Sequence, residues 1–136
     1  MKRLKVSKKV VFERKVNFYE TDAQGIVHHS NYPRYFEEAR GYFLEEFGFP
    51  YNRVRDELNV DIVLLDLYVS YKKPLFYGDF FSIHIELENM DRFFFSFNYT
   101  VFKEGKVISK GKTKHCCIDR NTRKMISIPD EIKNLF

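Results

Sequence analysis

Residues 21–50 read TDAQGIVHHSNYPRYFEEARGYFLEEFGFP, and the fold turns on how this stretch divides. From Asn31 onward it carries the strongest helical pattern in the chain. Tyr32, Tyr35, Phe36, Ala39, Phe43 and Phe47 recur at i, i+3, i+4 and i+7, the spacing that lines one face of an α-helix. Asn31 is the expected N-cap, and Pro33 fits the first turn, where a missing N–H costs nothing. Gly48 ends the run and Pro50 prevents its resumption. About 17 residues at roughly 1.5 Å each make a rod of about 25 Å, long enough to cross the face of a whole sheet.

Outward from this helix the pattern changes period. Upstream, residues 10–19 (VVFERKVNFY) alternate loosely and read as a first strand. TDAQG breaks the alternation, with Gly25 as the expected point of positive φ. Downstream, RVRDEL predicts a short second helix. Four strands follow. NVDIVLLDLYVSY is rich in Val, Ile and Leu and reads as buried. FFSIHIELE alternates, and DRFFFSFNYTVFK sets Phe93, Phe95, Phe97, Tyr99 and Val101 on one face. EGK makes a hairpin turn into VISKGKTKHCCID, RNTRK makes another, and PDEIKNLF closes with one helical turn. The order is α+β: an antiparallel sheet wrapped around one long central helix. Such a sheet has open edges, which a homodimer continuing the sheet would cover, and two dimers could pair into a tetramer.

The chain has 136 residues, of which 44% are apolar, enough for one core. A basic tail, or the start of the first strand, occupies residues 1–9, and residues 10–136 form a single domain. The net charge of +4 suits an anionic small molecule and lacks the dense basic stripe of a nucleic-acid binder. No apolar run approaches the roughly 18 residues of a membrane helix. The basic N-terminus lacks the apolar stretch of a signal peptide, so the expected location is the cytoplasm. Cys116 and Cys117 are neighbours on a strand, their side chains on opposite faces, and read as two free thiols.

Several chemistries find no support. GxSxG and phosphate-cradling glycine loops are missing. Ser70 and Lys73 form an SxxK, but three residues apart on a strand they face opposite sides. His28 and His29 are adjacent while His84 and His115 lie on distant strands, so no metal site is expected. Asp22 remains. In a turn before a helix it can be a local Asx-turn. It can also be an acid facing the free N–H groups at the helix start, whose dipole favours developing negative charge. A base or nucleophile opposite oxyanion donors is the minimum set for acyl transfer.

The stretch TDAQGIVHHSNYPRYFEEAR, continuing GYFLEEFGFP, resembles the signature of hot-dog-fold acyl-CoA thioesterases of the 4-hydroxybenzoyl-CoA thioesterase family, including its Tol-Pal-associated bacterial branch. The shared pattern is an aspartate, a glycine three residues on, an apolar pair, a His or Tyr, and an Asn/Ser-Tyr opening the helix. It continues loosely through VSYKKPLFYGD. The resemblance implies that Asp22 is the catalytic acid. It also implies that the backbone N–H of His29 polarises the thioester carbonyl. Gly25, Tyr32, Lys72 and Lys73 would then serve substrate binding, the lysines meeting the phosphates of coenzyme A, with Lys110, Lys112 and Lys114 as further basic candidates. The implied activity needs no cofactor beyond the coenzyme A of the substrate. One departure is Phe18, where the branch often has tyrosine; Tyr19 follows, facing the other way if the strand continues. Two other readings fit the same fold: a non-catalytic acyl-CoA binding module, and a hot-dog dehydratase or hydratase, whose acid and histidine are spaced differently.

Overall fold

Asn31–Glu46 forms the central helix α1 in the computed structural model, which describes residues 4–5 and 8–135. Tyr35, Phe36, Ala39 and Phe43 are fully buried on its inner face. Removing each large ring from water contributes about 1.5–3 kcal/mol, which is why this face decides where the helix lies. The N-cap is Ser30 rather than Asn31, and Asn31 is itself buried in the first turn. Gly48 at φ 83° ends the helix as expected.

The strands are β1 (Leu4–Lys5), β2 (Lys9–Lys15), β3 (Val60–Tyr71), β4 (Phe80–Met90), β5 (Phe94–Lys103), β6 (Lys106–Asp119) and β7 (Met125–Ile126). A second helix, α2 (Tyr51–Leu58), precedes β3, and a short α3 (Asp130–Lys133) follows β7. Within the basic N-terminal segment, Leu4–Lys5 pair with Met90 and Asn89 of β4; residues 1–3, 6 and 7 lie outside the described residues. All pairings are antiparallel, in the order β1-β4-β5-β6-β3, with β2 also on β4 and β7 on β6. The first strand ends at Lys15, earlier than its alternation suggests, because Phe18–Glu20 turns into a 3₁₀ helix.

The inward residues of β4, β5 and β6 close on α1. Ile83, Ile85 and Leu87 alternate inward on β4, and Phe95, Phe97, Tyr99 and Val101 on β5. The Phe36 ring stacks on Tyr99 at 4.2 Å and 13°. This close seat depends on Gly111 of β6, where a Cβ would stand 2.3 Å from Phe36 Cε2 and 3.1 Å from the Tyr68 carbonyl. Cys116 and Cys117 are both free and buried.

β3 corrects one expectation. Its apolar run reads as buried, yet Leu64, Leu65, Leu67 and Tyr68 are exposed by 48%, 46%, 43% and 62%. β3 pairs only with β6, so its other edge is open, and its leucines project to solvent on both faces. Hydropathy reports that a strand seeks cover, not that its own chain supplies it.

Candidate active site

Glu20 anchors the loop that carries Asp22. Its carboxylate is buried, and Oε1 accepts Arg14 Nη2 at 2.6 Å, the Asn17 amide at 2.8 Å and the Tyr35 hydroxyl at 3.0 Å. Arg14 also donates to both oxygens of Glu38 at 2.8 Å. Burial pulls the Arg14 guanidinium down, but Glu20 and Glu38 outweigh it and hold its pKa above the ordinary value. Burial, then Glu20, pushes the Tyr35 hydroxyl far up, so it remains a donor. The Glu20 carbonyl accepts the His28 amide at 2.9 Å and Asn31 Nδ2 at 2.8 Å. Asn31 thus ties the helix start to the loop instead of capping the helix.

Between those ties the chain doubles back on itself. Thr21 bridges Val27, and the Asp22 amide donates to the Ile26 carbonyl at 2.8 Å. The reversal needs Gly25 at φ 79°, the conformation expected of it. Asp22 is exposed at the tip. Its Oδ1 accepts the amides of Gln24 at 2.8 Å and Ile26 at 3.3 Å, an Asx-turn, while Oδ2 has no partner among the described residues.

At the helix mouth most donors are taken. The Ser30 amide donates to His28 Nδ1 at 3.2 Å, Asn31 to the His28 carbonyl at 3.0 Å and Tyr32 to the His29 carbonyl at 3.2 Å. Pro33 has no N–H to offer. The His29 amide is therefore the one N–H from His28 to Pro33 without an acceptor among the described residues. Sequence reasoning expects several free donors here; the His28 ring occupies one of them.

His29 borders a cleft of about 290 Å³ lined also by Ile26, Tyr32, Tyr71, Lys72 and Lys73. Tyr71 fixes its wall: the hydroxyl donates to the His29 carbonyl at 3.2 Å, and its ring meets Tyr32 edge-on at 5.0 Å. Burial, with a smaller contribution from Tyr71, pushes the Tyr32 hydroxyl up to about 12. The amides of Lys72 and Lys73 both donate to the Ile108 carbonyl, at 3.0 and 3.1 Å, and the two side chains are exposed without an ion pair among the described residues.

Four of the expected residues, His29, Tyr32, Lys72 and Lys73, thus meet in one cleft. Asp22 and Gly25 do not line it; Asp22 reaches it through its bond to Ile26, which does. Lys112 pairs with Glu88 at 2.9 Å, and Lys114 lies over the Phe94 ring at 4.5 Å, both remote from the cleft lining. Because the chain turns at Phe18–Glu20, Phe18 and Tyr19 do not take opposite strand faces; both are exposed, and Phe18 packs edge-on against Tyr77 at 5.4 Å. Glu20 and Tyr71 are missed by sequence reasoning. The only hint for Glu20 is an acid three residues after Asn17, the capping-box spacing it does adopt. Among the described residues, no group of three or more His, Cys, Asp or Glu side chains is arranged to hold a metal. No described helix is long and apolar enough to cross a membrane.

Comparison with known proteins adds independent findings. The model of the thioesterase-like superfamily matches residues 16–136. A protein of Aquifex aeolicus (strain VF5), named "Putative esterase", is 56% identical over 122 residues, covering 90% of this chain and 93% of its own. "Putative acyl-CoA thioesterase YneP" of Bacillus subtilis (strain 168) is 34% identical, covering 89% and 86%. Among solved structures, a hypothetical protein from Aquifex aeolicus superposes with a TM-score of 0.89 at 53% identity, covering 93% of this chain and 98% of that one.

Proposed function

The chain belongs to the thioesterase-like superfamily, and from that premise we propose that it hydrolyses an acyl-CoA thioester to a free acid and coenzyme A. Its sheet wrapped on one helix is the hot-dog fold. The observation that carries the reading is the open amide of His29, at the positive end of α1, in a cleft beside the Asp22 loop. A thioester carbonyl oxygen accepting that N–H would gain negative charge where the helix dipole stabilises it.

Asp22 supplies the other half. Its Oδ1 is held by two loop amides, which aims the carboxylate, and Oδ2 is left to react. As a general base it takes a proton from water as the water oxygen attacks the carbonyl carbon and the C–S bond breaks. As a nucleophile it attacks that carbon itself, expels the thiolate and forms a mixed anhydride, which water then cleaves. Lys72 and Lys73 at the cleft rim suit the phosphates of coenzyme A. Neither route requires a cofactor, and the reaction is assigned to the cytoplasm.

The open edge of β3, with its exposed leucines, supports a homodimer that continues the sheet from one subunit into the next. A second reading, a non-catalytic acyl-CoA binding module, is favoured by the Asx-turn of Asp22, since a purely structural aspartate makes the same bonds. Thiol release from short, long and aromatic acyl-CoAs separates the two. Hydrolysis by the native chain that is lost in Asp22→Asn supports the enzyme. Binding of acyl-CoA with no thiol released refutes it, whereas equal turnover by both proteins keeps the hydrolysis and removes Asp22 from it.

A further inference from the structure

A second cavity, of about 550 Å³, shares no lining residue with the His29 cleft. It lies between α1, α2 and the first half of β3, with apolar walls from Val54, Ile62 and Val63. Two side chains that line it each keep one buried nitrogen without a hydrogen-bond partner. Arg40 is 8% exposed and forms no ion pair among the described residues; its Nη1 donates to the Tyr99 hydroxyl at 3.1 Å, and Nε has no partner. Tyr51, on the wall, lies beside the same guanidinium; burial pushes its hydroxyl pKa up and the Arg40 charge opposes that. His115 is 1% exposed, and its Nδ1 has no partner.

A chain of hydroxyls links the two groups. Tyr99 Oη lies 2.6 Å from Thr113 Oγ1, which lies 2.8 Å from His115 Nε2. Tyr99 accepts from Arg40, so its own proton goes to Thr113, and the Thr113 proton then goes to Nε2. This arrangement satisfies every hydroxyl and leaves the His115 proton on Nδ1, near the Val63 carbonyl but without a well-formed hydrogen bond to it. The ring stays neutral: burial first, then the Arg40 charge, lowers its pKa to about 3, against a small opposing pull from the Val63 carbonyl.

The charges around the cavity narrow what fits. Asp61 is already clamped by Arg55 at 2.8 Å and Arg123 at 2.9 Å. Glu37, at the rim, is exposed and makes no ion pair among the described residues. The buried, uncompensated charge is that of Arg40 alone, so the fitting anion carries one charge. Planar N–H donors match a carboxylate, and the apolar walls match a hydrocarbon body.

We propose that this cavity binds a small organic monocarboxylate, its body against Ile62 and Val63 and its oxygens drawn to Arg40 Nε–H and His115 Nδ1–H, both of which are closed to solvent here and open as the ligand seats. The site stands independently of the hydrolytic reading, although acids of this class are what such hydrolysis releases. Calorimetric titration of the full chain with benzoate and hexanoate, against benzamide and hexanamide, tests it. The carboxylates should saturate one site per chain and bind at least about tenfold more tightly than the amides. Arg40→Lys and His115→Gln should each weaken carboxylate binding by about tenfold or more, with circular dichroism reporting the fold. Asp22→Asn and the double variant Lys72→Met/Lys73→Met should leave it unchanged. Equal binding of acids and amides, no saturation at millimolar ligand, or binding lost only in the cleft variants overturns the proposal. Should Arg40→Lys fail to fold, His115→Gln decides the outcome by itself.

Discussion

The His29 cleft and the Arg40 cavity lie along one helix, and they solve opposite problems. At the cleft and the loop beside it, the groups left unbonded among the described residues lie near solvent: one backbone amide and one carboxylate oxygen at the tip of the loop. In the cavity they are sealed between the helix and the sheet, where a missing partner is costly. The donor of the cleft survives a change of its own side chain because it is backbone. The donors of the cavity do not, because Arg40, Tyr99, Thr113 and His115 each hold the next in place. A surface site can thus be aimed by a few local bonds, whereas a buried one needs a complete chain of them.

The largest expected effect falls on the cleft. Asn at position 22 keeps an acceptor for the amides of Gln24 and Ile26, so the loop should hold its shape. Acyl-CoA turnover by Asp22→Asn should nevertheless fall by about 10²–10⁴-fold in a thiol-release assay, with an unchanged urea midpoint. A midpoint that falls together with turnover would move Asp22 into the structural class of the buried chain.

Next comes the seat of α1 on the sheet. Gly111→Ala drives a methyl into Phe36, which is stacked on Tyr99. Urea unfolding should show a loss of about 3 kcal/mol. Carboxylate binding at the cavity should weaken more than acyl-CoA turnover, because Tyr99 belongs to the first site and not to the second. Equal losses would mean that α1 moves as a rigid rod.

Glu20→Gln tests how far the exposed loop relies on a buried anchor. The variant keeps the shape but removes the charge that Arg14, Tyr35 and the Asn17 amide point toward. About 1–3 kcal/mol of stability should go, measured by urea unfolding, with turnover reduced as the Asp22 loop loosens.

The smallest effect, read per unit of pH, is that of His115. Its folded pKa of about 3 lies below the ordinary 6.5. The unfolded chain therefore takes up a proton near pH 6.5 that the folded chain refuses until about pH 3. The stability it contributes is full above that window and is lost as pH falls through it, at up to about 1.4 kcal/mol per unit. His115→Gln should flatten that part of the stability curve in denaturant titrations between pH 7 and 4. An unchanged curve would mean that the ring protonates in place.

How much of this could be read in the sequence follows the same division. The helix face from Tyr32 to Phe43, the turn at Gly25 and the succession of elements along the chain are local patterns, and the structure has them. The resemblance, and no local pattern, names His29, Tyr32, Lys72 and Lys73, which line one cleft. The N-cap was misplaced by one residue because Asn31 finds a tertiary partner, the Glu20 carbonyl, in place of its own helix. β3 reads as buried because hydropathy is blind to sheet order, and the order puts it at the edge. Arg40 and His115 gave no signal at all. One lies on a helix and the other on a strand 75 positions later, and only the packed sheet makes them neighbours.

The paired cysteines bear on how cleanly any of this can be measured. Both thiols are sealed in β6, and burial, with the Cys116 thiol second, pushes Cys117 up to about 12. A colorimetric thiol reagent reacts with thiolate, so the folded protein stays silent while liberated coenzyme A colours the solution. Slow extra colour from enzyme alone would then count molecules whose sixth strand has come loose. One cuvette would serve as both rate assay and integrity check.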